Sequence, residues 1–194
     1  MPSILEFLRT RRTCRRFLPK AVPDAVLREA LEAARIASCG SNRQTLKYAL
    51  VQSPAAVAEL NRLVHWAAYL PPEQGAPGPG ETPTAFIAVF QDEDLPGVND
   101  TDAGLALGSL TAAAWAHRGA SCIMGNIDRA PIKTLLGLAG RSRLRLHSVV
   151  ALGYPAQASH IVPMENGSVR YYLDENRDLC VPKRAVADIL VADL

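Results

Sequence analysis

The sequence lacks the features that would assign it to a membrane, nucleic-acid or metal-binding class. No stretch approaches the ~20 apolar residues that span a bilayer, and no charged, apolar and small-residue leader opens it, so we expect a cytoplasmic protein. The net charge of +2 is too small to hold nucleic acid through counterion release. The cysteines Cys14, Cys39, Cys122 and Cys180 lie far apart without metal-ligand spacing, so we expect neither a metal site nor a disulfide framework.

A glycine-rich nucleotide fingerprint is also missing. No Gly-x-Gly-x-x-Gly follows a strand-like run, which argues against a Rossmann dinucleotide site. What the chain does have is the composition of an ordinary globular protein, with 48% apolar and 21% charged residues. Its 194 residues suffice for one compact core, so we predict a single domain over residues 1–194.

Hydrophobic periodicity predicts an α+β fold. Helical and strand-like runs follow one another, but not as regular strand-helix-strand units, so we predict a central, mostly antiparallel or mixed sheet flanked by helices. The scarcity of charge in the predicted helix 101–117 indicates burial on most of its sides. The predicted helices are residues 4–8, 24–34 with Asp24 as N-cap, 55–63, 101–117, 128–136 and 185–190, and the predicted strands are residues 48–51, 84–90, 121–124 and 147–152.

One segment, residues 71–83, is rich in proline and glycine. Proline fixes φ and removes a backbone donor, so we predict that this segment contains no regular structure. It fits a flexible lid over a site and a bare connector equally well.

The sharpest local signal is the run RTRRTCRRF. Arg11, Arg12, Arg15 and Arg16 surround Thr13, and guanidinium groups present paired donors that match phosphate oxygens. A phosphate-bearing ligand is therefore the specific interpretation, and a solvated charged turn is the plain one. A nuclear-localisation or export signal fits less well, because an amphipathic helix follows the run.

Other polar and flexible positions leave their roles open. The amides of Asn42 and Gln44 can bind a ligand or only the neighbouring backbone. Gly125 and Gly153 can admit a ligand close to the chain or only form turns. The cations at residues 183–184 can bind an anion or only begin a helix.

The order of these segments resembles the nitroreductase family across nearly the whole chain. The series runs RTRRTCRRF, a Val-Pro helix start, SCGSNRQ, TDAG before an alanine-rich helix, ALGYP and VPKR. Each motif is weak alone, and their joint order is fairly specific. The family loop commonly reads Pro-Ser-x-x-Asn-x-Gln-Pro-Trp, whereas this chain has Ser38-Cys39 for Pro-Ser and Thr45-Leu46 for Pro-Trp.

The resemblance implies that the chain binds FMN. In such a protein Arg11, Arg12 and Thr13 bind the FMN phosphate, and the C-terminal cations at residues 183–184 complete that phosphate site. The loop of residues 38–44 reaches the FMN of a partner subunit. Residues 124–126 face the flavin ring, and Gly153 lets the chain pass close to the cofactor. The cofactor-binding residues so implied are Arg11, Arg12, Thr13, Arg15, Ser38, Cys39, Asn42, Gln44, Met124, Gly125, Asn126, Gly153, Lys183 and Arg184.

The resemblance also implies an intertwined homodimer with FMN at the subunit interface. The implied reaction is ping-pong: NADH or NADPH gives hydride to the flavin and leaves, and a nitroaromatic, quinone or similar planar acceptor then takes its place. No side chain need act as acid or base. The alternatives are a specialised flavoenzyme of the same fold (a dehalogenase, heterocycle oxidase or flavin-fragmenting enzyme), a non-catalytic flavin-binding protein, and a small nucleic-acid-binding protein that uses the arginine run.

Overall fold

The computed structural model of the chain describes residues 3–193. Two short 3-10 helices cover Gly40–Asn42 and Val186–Asp188. The α-helices are α1 Ile4–Thr10, α2 Asp24–Arg35, α3 Pro54–Asn61, α4 Pro72–Gly75, α5 Asp100–Ala116 and α6 Arg129–Leu135. The strands are β1 Phe17–Leu18, β2 Leu46–Val51, β3 Ala85–Asp92, β4 Ala120–Met124, β5 Leu144–Pro155, β6 Ser159–Pro163, β7 Tyr172–Leu173 and β8 Leu179–Lys183.

The main sheet is antiparallel throughout and has β5 at its centre. One edge of β5 pairs with β3, which pairs in turn with β2. The other edge of β5 pairs with β4 over residues 149–153 and then with β1 over residues 154–155. A second, smaller sheet joins β6 and β8 in parallel and β8 and β7 in antiparallel order. The predicted α+β class with a mostly antiparallel or mixed sheet is thereby confirmed.

Helices cover both faces of the main sheet, and β3 contributes to a core on each side. Phe86, Ala88 and Phe90 pack in one core, whereas Ile87 and Val89 pack in the other. The first core is closed by α3 and α6, and the second by α2 and α5. Burial on both faces explains why the β3 sequence is apolar without alternation.

The start of α2 differs from the prediction. Pro23 occupies the N-cap position and Asp24 is the first helical residue, without a side-chain cap. Asp24 instead pairs with Arg28 one turn later, at 2.6 Å. At α5 a cap does form, since Asn99 Oδ1 accepts a hydrogen bond from the Asp102 N–H at 2.8 Å.

Three other predictions about local structure were incomplete or wrong. The segment 71–83 does contain a regular element, the single helical turn α4. The C-terminal helix predicted at 185–190 is only a 3-10 turn over Val186–Asp188. The three strands of the smaller sheet were not predicted, because β7 has two residues and β6 is almost fully exposed, which leaves no hydrophobic period to detect.

Candidate functional site

The basic run lies in an extended segment along the outer edge of β4. Thr13 forms a parallel bridge with Ser121, and the Cys14 N–H donates to the Ser121 carbonyl at 3.0 Å. The Cys14 side chain is buried in the core. Backbone pairing and core packing thus fix the path of the run across the molecule.

Arg16 differs from the other arginines of the run, because its partners are all within the chain. Its guanidinium pairs with the Glu81 carboxylate and donates to the Gln74 carbonyl at 3.0 Å. The Arg16 side chain is only 6% exposed. It therefore ties the 71–83 segment to the body of the protein.

Arg12 and Arg15 carry buried donors that have no hydrogen-bond partner among residues 3–193. These donors are Nε of Arg12 and Nη1 of Arg15. Within residues 3–193, neither these side chains nor Arg11 forms an ion pair with a carboxylate. Burial, and next the charge of Arg11, lower the pKa of Arg12. Because each unmatched buried donor costs about 1–3 kcal/mol, this arrangement fits an anionic ligand.

A hollow of about 510 Å³ opens beside Arg12 and Thr13. Sites for small molecules commonly span about 300–1,000 Å³, so its size suits part of a ligand that binds Arg12 and Thr13. Its lining includes neither Arg11 and Arg15 nor residues 124–126. Trp115 lines the hollow and donates from Nε1 to Thr10 Oγ1 at 3.1 Å, which joins the C-terminal ends of α1 and α5. Ser159, also on its wall, has a buried hydroxyl without a partner.

Strand β4 leads from the basic run to residues 124–126. Met124 is three residues beyond Ser121, a distance of about 10 Å along an extended strand. The carbonyls of Gly125 and Asn126 accept hydrogen bonds from Arg129 and His65. The N–H groups of Gly125 and Asn126 donate to no atom in the part of the chain that the structure describes. They are free to face a ligand lying along β4.

The polar loop of residues 38–44 has a strained backbone. Ser41, Asn42 and Gln44 adopt φ values of 50°, 51° and 51°, which asparagine tolerates better than most residues. A buried carboxylate holds the loop, since Asp102 Oδ1 accepts from the Gly40 N–H at 2.9 Å. The side chains of Asn42 and Gln44 remain exposed.

The loop and the basic run lie at opposite ends of α5. Asp102, in the first turn of α5, holds the loop, whereas Trp115, in the last turn of α5, contacts the basic run at Thr10. Thirteen residues of helix separate these two anchors, or about 20 Å at 1.5 Å per residue. Within one chain, Asn42 and Gln44 therefore do not reach the arginines of the basic run.

The helix α5 also has an exposed apolar face. Gly104, Leu105 and Gly108 lie on it, and Leu105 is 47% exposed. The prediction that this helix is buried on most sides is therefore wrong for a single chain.

Gly153 has a packing requirement. It is buried in β5, and a Cβ at this position would lie 2.6 Å from the ring of Phe17. The glycine of the ALGYP motif thus makes room for a core aromatic side chain.

The C-terminal cations lie away from the hollow. Residues 159–161 of β6 line it, whereas Lys183 pairs with Pro163 at the far end of the same strand. Pro163 is two residues beyond Ile161, the last lining residue of the strand, or about 7 Å further on. Lys183 and Arg184 are exposed and do not line the hollow.

Several residues beside the basic run were missed by sequence reasoning. Trp115 and Ser159 line the hollow, and the ring of Tyr171 lies against Arg15, with the Arg15 Cζ 4.6 Å from its centroid. Each comes from a distant part of the chain, so no local pattern marks it. Cys39 and Gln44 instead line a separate cleft of about 210 Å³.

No group of three or more His, Cys, Asp or Glu side chains among residues 3–193 is placed to hold a metal ion. Within the same residues, no helix has the length and apolar character to cross a membrane.

Comparison with known proteins gives consistent matches. The family model described as the nitroreductase family matches residues 8–154. A protein of Thermus thermophilus named NADH dehydrogenase is 26% identical, and the match covers 80% of this chain and 89% of that protein. A Desulfovibrio desulfuricans structure in complex with FMN is 22% identical, with a TM-score of 0.69, over 100% of this chain and 98% of that one. A nitroreductase family protein of Streptococcus pneumoniae is 18% identical, with a TM-score of 0.69, over 99% and 100% of the two chains.

Proposed function

This chain belongs to the nitroreductase family, and we propose from this premise that it is an FMN-dependent oxidoreductase that moves electrons from NAD(P)H to a nitroaromatic, quinone or similar small planar acceptor. The observation that carries the proposal is the pair of unmatched buried donors on Arg12 and Arg15. The FMN complex of the Desulfovibrio protein and the name of the Thermus relative support the choice of cofactor and donor.

The proposed FMN lies along β4. Its phosphate binds Arg11, Arg12 and Thr13, where guanidinium and hydroxyl donors are available to its oxygens. The N–H groups of Gly125 and Asn126, which have no partner among the described residues, would be available to its ring about 10 Å further along β4. Lys183 and Arg184 do not line the hollow, so the proposal assigns the phosphate to the N-terminal run.

When bound, FMN supplies the two-electron chemistry, accepting electrons from the nicotinamide and passing them to the acceptor that replaces it. The chain orients the cofactor through the arginines and the β4 backbone. No histidine or carboxylate has to act as an acid or base in this scheme. The run at 11–15, the strand β4 and Tyr171 all contribute to one site, which supports a single functional domain over residues 1–194.

The proposed active unit is a homodimer. The exposed apolar face of α5, with Gly104, Leu105 and Gly108, allows close approach of a second copy of the same helix. An antiparallel pair of α5 helices places the N-terminal end of one beside the C-terminal end of the other. The partner's loop of residues 38–44 then lies next to this chain's basic run, which bridges the separation of about 20 Å.

The α1 helix supports the same arrangement. Ile4, Leu5 and Leu8 are 73%, 55% and 47% exposed. Within the described residues, α1 contains no buried residue. Since such a helix gains little from its own chain, a partner surface explains its apolar side chains.

The absorption spectrum of the purified protein tests the proposal. We expect a flavin spectrum, either as isolated or after addition of FMN, and its bleaching under anaerobic NADH or NADPH. Addition of a quinone or nitroaromatic should restore the spectrum. A protein that takes up no FMN would sink the proposal.

The other outcomes separate the remaining candidates. FMN that is bound but not bleached by either nicotinamide indicates a non-catalytic flavin-binding protein. Bleaching without return of the spectrum on addition of quinones and nitroaromatics indicates a specialised enzyme with another acceptor.

A further inference from the structure

Two tyrosines and two arginines form a stack beside the candidate site. The Cζ of Arg15 lies 4.6 Å from the ring centroid of Tyr171, and the rings of Tyr171 and Tyr69 are 5.1 Å apart. The Cζ of Arg170 lies 5.2 Å from the Tyr69 ring centroid. The Tyr69 N–H also donates to the Tyr171 hydroxyl at 3.3 Å, so backbone and rings hold each other in place.

The Arg15 guanidinium lies over the ring of Tyr171 and keeps an unmatched donor. A cation over an aromatic face is attracted by the ring and can still donate hydrogen bonds from its N–H groups. Nη1 of Arg15 is buried and has no hydrogen-bond partner among residues 3–193. Tyr171 therefore holds in place a cation that still has a donor to offer.

The stack lies beside β4. The Cys14 N–H donates to the Ser121 carbonyl of that strand, and Arg15 is the next residue. Burial raises the pKa of the Cys122 thiol to about 11, and the nearby charge of Arg15 partly offsets that rise. Arg15 therefore lies close to the strand that the proposed FMN follows.

We propose that Tyr171 is a positioning residue that holds the Arg15 guanidinium, with its unmatched Nη1, in place for bound FMN. The inference rests on the proposed function, and it assigns a role to a residue outside the stretch 8–154 that the family model matches. A cation held near the ring stabilises the negative charge that the flavin gains on reduction. Tyr171 thus supports both FMN affinity and a higher midpoint potential of the bound FMN.

A set of variants tests the inference through FMN binding and potential. Tyr171→Leu removes the ring, and we expect the FMN dissociation constant to rise by about 3- to 30-fold, because FMN must then order an Arg15 that a cation–π contact no longer holds. The midpoint potential of the bound FMN should fall. Tyr171→Phe keeps the ring and should stay within about twofold of the wild type. Tyr172→Leu, at the exposed neighbouring residue, is the matched control.

A double variant shows whether Tyr171 acts through Arg15. Arg15→Met should weaken FMN binding, and adding Tyr171→Leu to it should change neither the dissociation constant nor the potential further. If the two effects instead multiply, or if Tyr171→Leu retains wild-type affinity and potential, the inference is wrong. Tyr171→Met keeps the volume of the side chain and carries the same test where the leucine variant does not fold.

The same experiment separates this inference from the proposed function. Wild-type protein that takes up no FMN removes both. Wild-type protein that binds and reduces FMN, with Tyr171→Leu unchanged in affinity and potential, removes only the positioning role.

Discussion

Arg11, Arg12, Arg15 and Arg16 stand close together in the basic run, yet the structure gives Arg16 a different environment from Arg12 and Arg15. Arg16 is paired with Glu81 and stabilises the fold. Arg12 and Arg15 keep buried donors without partners. The sequence presents them as one cluster, because the residue that neutralises Arg16 lies 65 positions away. Only three-dimensional partners separate a structural arginine from a ligand-binding one.

Replacing Arg12 should change stability and binding in opposite directions. Arg12→Met keeps much of the side-chain volume but removes an unmatched buried donor, so we expect the FMN-free protein to gain about 1 kcal/mol or more in free energy of unfolding. The FMN dissociation constant should rise by about 10- to 150-fold, since a hydrogen bond to a charged group contributes about 1.5–3 kcal/mol. Denaturant unfolding and flavin fluorescence measure the two effects.

Arg28→Met is the control for this prediction. Arg28 is exposed on α2 and pairs only with Asp24 one turn away. Surface pairs of this kind contribute about 0–1 kcal/mol, so both quantities should remain near wild type. An Arg12 variant that loses stability and keeps its FMN affinity would give Arg12 a structural role instead.

How far single residues were predictable depends on whether their partners are local. The basic run and the loop of residues 38–44 were recognised because their spacing is visible in the sequence. The family resemblance implies a cofactor role for Gly153. The structure adds a packing requirement that the sequence does not show, because a Cβ at this position would meet the ring of Phe17, which lies far away in the chain. Tyr171 and Trp115 were missed, because their contacts with Arg15 and Thr10 depend on the fold.

Among the elements, the proline- and glycine-rich segment 71–83 has a defined anchor. Glu81 pairs with Arg16 and accepts a hydrogen bond from the Gly78 N–H at 3.0 Å. The Gln74 carbonyl accepts from the same arginine. Since Arg16 is buried, the segment supplies the groups that this buried cation needs.

The anchor makes a pH-dependent contribution to stability. Burial alone raises the pKa of Glu81, but the hydrogen bonds from Gly78 and Arg16 and the charge of Arg16 outweigh it, so the pKa is lowered from its ordinary value of 4.5. A carboxyl with a lowered pKa in the folded state stabilises the fold above its unfolded pKa. That contribution is lost as the pH falls through the unfolded and then the folded value.

Melting temperatures of wild type and Glu81→Gln measure this contribution. We expect the variant to melt below the wild type near pH 7 and the gap to narrow as the pH falls below about 4.5. Glu73→Gln, at an exposed position of the same segment, should show no gap at either pH. A gap that persists unchanged into acid would mean that the charge of Glu81 is not what stabilises the segment.

Whole elements were predictable where burial imposes a period. The helix α5 and the strand β3 were found within one or two residues of their bounds, since both pack one or more sides in a core. The strands β6 and β7 were missed because short or exposed elements carry no such period, and only two residues of β8, Leu179 and Cys180, are buried. The helix α2 was found within one residue of its bounds, and only its N-cap was wrong, since Pro23 takes that position. The long, buried elements such as α5 and β3 determine the class of the fold. The short or exposed elements include β6, which forms part of the wall of the hollow.

At the scale of the whole molecule, the length of α5 determines what one chain can do alone. Its two ends hold the loop at Gly40 and the basic run at Thr10, about 20 Å apart. Its apolar face, with Leu105 exposed, lies between them. A sequence shows neither this separation nor the exposure of that face, so the homodimer was predicted from the family resemblance alone.

Gly108→Leu should separate the subunits and release FMN together. A leucine on the open face of α5 has space in a single chain, where nothing lies within 4 Å of the glycine Cβ position, and it raises helix propensity, so the monomer should stay folded. It prevents close approach of two α5 helices. Losing two amide hydrogen bonds from the partner's loop, of about 1 kcal/mol each, should raise the FMN dissociation constant by about 30-fold.

Sedimentation velocity and flavin titration on the same samples measure both effects. Gly140→Leu is the control, because Gly140 is exposed and also has open space at its Cβ position, but it lies outside α5. We expect it to remain dimeric and yellow. A Gly108 variant that stays dimeric, or one that dissociates and still holds FMN at wild-type affinity, would show that the loop of residues 38–44 does not act across a subunit interface formed by α5.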